Sequence, residues 1–450
     1  MSRFRNHRSA AVVRVGAVGA LLACVGVAGA QVEPHAGMLR YPDVSATHIV
    51  FSYAGDLWLV PREGGDATPL ANPAGVETNP RFSPDGESIA FSGNYDGDRD
   101  IYTIATSGGV PFRVTHHPMT EILTDWTADD RLLYFGSGVN GLGRQTSIMT
   151  VSPEGGLFDV LPVPYGANGA ISDDGQWLAY TPHSRDSRTW KRYRGGMATD
   201  IWLFNLESYE SKQITEFEGT DSLPMWHGDT VYYLSDAGDE HRLNIWSYDT
   251  KSGDRKQLTR FSEFDCKWPA MGPGPRGGGE IVFQNGASLY LLDLRGGQTT
   301  EVRVTVPGAR ASIKDQLIDV RDQISWGSLS PSAKRVAVEA RGDVWSNPAE
   351  NGTPRNMTRT SGVAERTPAW SPDGRWIAYF SDETGEYELY VTQSDGKGET
   401  KQLTSGSETY YNAPSWSPDG KHILFTDKAG RWLLQPADGG DLIEMDRDPW

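Results

Sequence analysis

Residues 185–196 read R-D-S-R-T-W-K-R-Y-R-G-G, the densest run of cations in a chain whose formal charge is −17. Arginine forks take carboxylates in bidentate fashion, and their planes stack on aromatic rings. A run of this kind suits an acidic partner surface or the C-terminal carboxylate of a peptide. Its candidate binding residues are Trp190, Lys191, Arg192, Tyr193 and Arg194. The competing reading is a loop salt-bridged onto the acidic body of its own domain.

Other residues with possible chemistry are weaker. Asn94, Asp96, Asp98 and Asp100 place oxygen side chains at alternate positions, as a calcium loop begins, but no distal glutamate follows. Asp and Gly at a hairpin turn explain the same residues without a metal. His116 and His117 are the one adjacent pair among nine histidines, and neighbours on a strand point to opposite sides. Ser-Pro-Asp-Gly recurs at Ser83, Ser371 and Ser417. One catalytic role repeated three times is implausible. Asp bonding its own backbone and Gly at positive φ make it a turn. The chain has no G-x-S-x-G nucleophile elbow, no H-E-x-x-H and no Walker A loop, and no catalytic residue, metal site or cofactor is expected of it.

The elements behind these residues are short strands. Residues 79–115 hold alternating apolar runs near 88–92, 100–105 and 111–115, separated by Pro-Asp-Gly, Gly-Asp and Gly-Gly turns. With the segment entering at Pro80 they form a four-stranded antiparallel meander. One such sheet cannot bury both faces, so it must recur. The residues that end successive units are Leu70, Val114, Leu161, Ile214, Leu258 and Arg303, at steps of 44, 47, 53, 44 and 45. Four strands per step of about 40–45 residues is the pattern of a β-propeller. The 53-residue step contains the basic run.

The expectation is an all-β chain. Residues 31–310 form a six-bladed β-propeller, with a linker near 305–314, and residues 311–450 form the first three blades of a second, incomplete propeller. Three blades cannot close a ring. The reading favours a truncated second propeller over one completed by a partner.

Residues 1–30 read as an export signal. Arg3, Arg5, Arg8 and Arg14 precede an apolar stretch at 15–27, and Ala28-Gly29-Ala30 is a cleavage site before Gln31. Lipoprotein processing at Cys24 is the alternative. Cleavage removes four of 42 basic residues and none of 59 acidic ones, leaving 38 against 59, or −21. That balance argues against nucleic acid and anionic membrane surfaces. Cys266 alone then remains of two cysteines, so no intrachain disulfide is expected. The protein is expected to be exported and periplasmic, with no membrane span after cleavage.

Two runs are more specific than the turns. L-R-Y-P-D-V-S-A-T-H-I-V-F-S-Y-A-G-D-L-W at 39–58 resembles the start of the mature part of tricorn-type proteases, a subgroup of peptidase family S41. W-K-R-Y-R-G-G at 190–196, followed by Ile201-Trp202, is similar to W-K-x-Y-R-G-G before I-W in that family. The resemblance spans residues 38–450. It implies a six-bladed propeller, a seven-bladed propeller, a PDZ domain and a serine protease core. The propellers would filter and channel peptides, and the full-length protein would form a homo-oligomer. The family's catalytic residues lie beyond residue 450, so none is carried over. The export signal is a departure, because the family's archetype is cytoplasmic. Ser-Pro-Asp-Gly repeats are shared with TolB-like propeller scaffolds, the alternative reading. A propeller cap of a prolyl-oligopeptidase-like enzyme is the third, and the paired propellers speak against it.

Overall fold

The alternating runs become strands because each buries one row of side chains against the next sheet while Gly and Asp close the turns between them. In the turn after Phe82, the Ser83 hydroxyl donates to Asp85 (2.6 Å) and accepts from Ser88 N (2.9 Å), and Gly86 takes φ 74°. Ser172–Asp174, Ser371–Asp373 and Ser417–Asp419 repeat the 2.6 Å bond, and Thr127–Asp129 replaces Ser by Thr. These hydrogen bonds hold the Asp85 and Asp373 carboxyls below the ordinary range. The Ser-Pro-Asp-Gly motif is turn chemistry.

The structure is a computed structural model that describes residues 39–448 except 72–73, 140, 142, 144, 188–192, 308–316 and 408. It divides into two units, Met1–Lys314 and Asp315–Trp450. The export-signal reading of residues 1–30, Cys24 included, lies outside the described residues.

The first unit contains six four-stranded antiparallel sheets, each built from strands that follow one another along the chain, with only the short strand Gly65–Asp66 set apart from the first sheet. Their innermost strands are Arg40–Val44, Glu77–Phe82, Glu121–Trp126, Ala167–Ile171, Asp221–His227 and Cys266–Gly272. The core lies between blades. Val50 and Leu57 of blade one pack with Phe82, Ile89, Phe91 and Tyr102 of blade two. Val44, Ile49 and Phe51 pack with Ala270, Val282 and Leu291 of blade six, which closes the ring.

Among the described residues no blade borrows a strand from the other end of the unit. Closure is instead reinforced by a two-residue parallel pairing of Val304–Thr305 with Gly65–Asp66. Gly65 N donates to Arg303 O (2.9 Å) and Ala67 N to Thr305 O (2.8 Å). Thr305, read from sequence as the start of a linker, is therefore part of the ring. A backbone approach this close needs Gly64, where an added Cβ would lie 2.5 Å from Arg303 O at φ 91°.

Each innermost strand changes register midway. In four blades the residue there has positive φ and precedes proline: Tyr41-Pro42, Asn79-Pro80, Leu223-Pro224 and Trp268-Pro269. Proline has no N–H, so the ladder drops a bond at the bulge, and the bulge re-aims the side chains that follow.

The second unit has three sheets of the same kind, with strands from Ile324–Leu329 to Ile443–Arg447. Its middle blade is packed on both faces, with Ile377 and Tyr379 toward the first sheet and Phe380 toward Phe425 of the third. Ile324, Trp326 and Leu329 of its first strand are exposed, as are Ile443 and Met445 of its last. Among the described residues no helix is long and apolar enough to cross a membrane.

Candidate functional site

Two places in the six-bladed unit gather polar groups: the basic insertion and the axis of the ring. The insertion joins Trp177–Thr181 to Trp202–Asn205 in blade four. Thr181 pairs with Ala167, so the insertion leaves from the end where the innermost strand begins. It is pinned on both flanks. Asp186 Oδ2 accepts from Asn168 Nδ2 on the innermost strand (2.5 Å) and from Ser184 Oγ (2.9 Å). Arg194 Nη1 donates to both oxygens of Asp236 (3.1 and 3.2 Å), in the loop after Thr230–Ser235 of blade five.

Asp236 is buried and also accepts from Thr220 N (2.9 Å). The Arg194 guanidinium lies over Phe217, 4.8 Å from the ring centre. Of the sequence candidates, Arg194 thus braces blade four against blade five. Tyr193 is half-buried beside Gly195. Trp190, Lys191 and Arg192 lie outside the described residues.

The calcium reading at residues 94–100 meets a guanidinium instead. Arg113 donates to Asp96 (3.1 Å) and to the buried Asp100 (2.7 Å), so both carboxylates face a cation the chain supplies. Among the described residues no group of three or more His, Cys, Asp or Glu is placed to hold a metal. His117 Nδ1 accepts from Met119 N (3.3 Å), a loop contact.

Sequence reasoning missed the carboxylates that start the innermost strands. Glu77 is fully buried. Its Oε2 accepts from Leu57 N and its Oε1 from the Tyr95 hydroxyl, both at 2.6 Å. Desolvation raises its pKa to about 7 against the pull of those bonds. Glu121, bonded by the Thr115 hydroxyl, is likewise raised to about 7, and Asp221 to about 6, both first by desolvation. Two residues before the Trp268-Pro269 bulge the same position holds Cys266, buried between Thr259, Asn244 and Asn285. Burial pushes its thiol up to about 12.

The axis carries the second group. A cavity of about 50 Å³ is lined by innermost-strand residues of blades two to six, among them Asn79, Arg81, Asp125, Asn168, Met225 and Ala270. Arg81 Nε donates to Thr124 O (2.7 Å) and its Nη1 to Pro80 O (2.8 Å), tying blade two to blade three. Asp125 Oδ1 accepts from Trp126 N (2.9 Å), and desolvation raises its carboxyl to about 6 although Arg81 pulls it down. On blade one Asp43 is buried, accepts from Phe82 N (2.6 Å), and is raised to about 7 by desolvation, again against Arg81.

Aligning the repeats on their turns exposes the signal. The position before each strand's last residues reads Asp43, Arg81, Asp125, Ala170, Met225 and Ala270, so half the ring is charged and half apolar. Nothing in a single repeat reveals that asymmetry.

Closed rings of four-stranded sheets around an axial cavity define the class, a β-propeller protein. Within it, residues 36–298 match the family model of the tricorn protease N-terminal beta propeller domain, and the chain belongs to that family. It is 27% identical over 418 residues to tricorn protease homolog 1 of Streptomyces coelicolor, covering 91% of this chain and 38% of that protein. It is 26% identical over 363 residues to the tricorn protease homolog of Saccharolobus solfataricus, covering 79% and 32%. The crystal structure of the tricorn protease superposes with a TM-score of 0.58 at 18% identity, over 92% of this chain and 40% of that one. The chain therefore spans less than half the length of these relatives.

Proposed function

We propose that this chain is the propeller part of a tricorn-like serine peptidase that degrades oligopeptides, and that it gates substrates and products rather than making or breaking bonds. Family membership across the six-bladed unit carries the reading. The catalytic residues belong to a region outside this chain, and the second unit supplies the first three blades of a seven-bladed ring. Peptides are the ligands, and the full-length protein is a homo-oligomer. The first 30 residues direct export to the periplasm and are removed after Ala30, which N-terminal sequencing of the exported protein checks.

The residues proposed to hold peptide carboxylates are Lys191 and Arg192, with Arg194 fixing the loop that bears them. Trp190 and Tyr193 are the aromatic members of the same proposed set. A cationic loop at the end of an acidic domain attracts anionic groups over about a Debye length, roughly 10 Å at moderate salt. Replacing Lys191, Arg192 and Arg194 together by Ala in the complete enzyme should raise KM for peptides with little change in kcat. An unchanged KM in a correctly assembled enzyme rules out the substrate role.

A further inference from the structure

The axial cavity presents two opposite charges that do not neutralise each other by contact. No Arg81 nitrogen comes within 4.0 Å of an Asp125 oxygen among the described residues. Arg81 spends Nε and one Nη1 hydrogen on the carbonyls of Thr124 and Pro80, which leaves the Nη2 edge of the fork. Asp125 spends Oδ1 on Trp126 N, which leaves Oδ2. Asn79 lines the same space, and so does Asn168, whose Nδ2 is held by Asp186. The far wall is apolar, with Leu223, Met225 and Met271. The cavity's volume of about 50 Å³ is several times the roughly 10–15 Å³ that a single water requires, so it admits a small polar molecule.

From this juxtaposition we propose that the axial cavity of the six-bladed ring binds a small α-amino acid in its zwitterionic form. Its carboxylate lies on the open edge of Arg81, its ammonium on Asp125, and its side chain against Leu223 and Met225. Charge-assisted hydrogen bonds at both ends are strong because the site is partly removed from water. A singly charged molecule satisfies one wall and leaves the other charge without a ligand partner, so it binds more weakly. The Asn168–Asp186 bond links the occupied cavity to the basic insertion. The inference does not rest on the peptidase reading, since a propeller acting only as a scaffold would carry the same site.

The charged groups acting on Asp125 are Arg81 on blade two, Asp173 on blade four and Asp43 on blade one, and Arg81 also acts on Asp43. Protonation of Asp125 below about pH 6 removes the ammonium's partner, so binding weakens there.

Calorimetric titration of the purified full chain at neutral pH tests the proposal, with alanine and glycine as probes. Acetate, methylammonium and N-acetylalanine serve as singly charged controls. Alanine and glycine are expected to bind saturably, and each control at least about tenfold more weakly. Arg81→Met and Asp125→Asn should each weaken alanine by at least about tenfold while circular dichroism stays native. Should either variant fail to fold, the ligand series on the unaltered protein decides. Absence of alanine binding at millimolar concentrations means a cavity holding water only, and overturns the proposal. Equal binding of alanine and acetate, or insensitivity to both variants, does the same.

Discussion

Replacing Glu77 by Gln should stabilise the six-bladed unit relative to the unaltered protein as the pH rises. Glu77 is fully buried between blades one and two. Desolvation lifts its folded pKa to about 7 from 4.5, against the two hydrogen bonds from Leu57 N and Tyr95. A carboxyl whose folded pKa is raised binds its proton more tightly in the fold. Its stabilising contribution is complete below the unfolded pKa near 4.5 and is lost as the pH climbs through about 7. Between pH 5 and pH 8 that loss amounts to about 2.5 kcal/mol, at 1.36 kcal/mol per unit.

Gln does not titrate. Its carbonyl can accept from Leu57 N, and its amide can donate to the Tyr95 oxygen once the hydroxyl turns. All other groups titrate alike in the two proteins, so the difference in unfolding free energy isolates Glu77. Urea denaturation followed by tryptophan fluorescence at pH 5, 6, 7 and 8 should show that difference moving toward the variant by about 2.5 kcal/mol. A difference that stays flat across the series would mean Glu77 is already ionised in the fold at pH 5, and the desolvation argument fails.

Gly64→Ala forces a Cβ to 2.5 Å from Arg303 O at φ 91°, so the first unit should lose at least about 2 kcal/mol and melt several degrees lower. An unchanged melting temperature would deny the closure pairing its role. Arg194→Ala leaves the buried Asp236 with Thr220 N alone and should cost about 1 kcal/mol, since the arginine is itself part-exposed. Asp236→Asn together with Arg194→Ala should recover part of it. Cys266 should resist iodoacetamide in the native protein and react only on unfolding, because its thiol is buried and pushed up to about 12. Rapid native labelling would contradict that burial. Millimolar calcium should leave the melting curve unmoved, because Arg113 already faces Asp96 and Asp100. A clear upward shift would restore the loop at residues 94–100 as a cation site.

Nine repeats of one sheet were legible because period-2 runs and Ser-Pro-Asp-Gly turns are local signals, each complete within about 40 residues. The same ruler exposed the insertion as the step that ran long. What escaped it was non-local. The strand Arg40–Val44 hides behind Tyr41-Pro42-Asp43, which reads as a turn until its partner His48–Tyr53 draws it into a sheet. The pairing of Thr305 with Asp66 spans the whole unit and has no periodicity to betray it. Arg194 finds Asp236 42 residues later, in another blade. Arg81 and Asp125 look like solvated strand charges until the ring brings their positions onto one axis. Glu77 reads as surface because charge at a strand's start is usually exposed, and only the neighbouring blade covers it.

The clasp between Val304–Thr305 and Gly65–Asp66 has an evolutionary consequence. Because every blade of the first unit is one uninterrupted stretch of chain, the gene for this ring is a tandem series of cassettes, one per blade. Duplicating or deleting one cassette other than the first leaves the strand pairings of the remaining sheets intact and asks that the clasp re-form across a ring of new circumference. Circular permutation follows the same logic. Joining residue 305 to residue 40 through a short linker and cutting between any two blades should give the same six sheets in a new order. A ring sealed by a shared blade admits neither change so freely, since its first and last strands must stay partners.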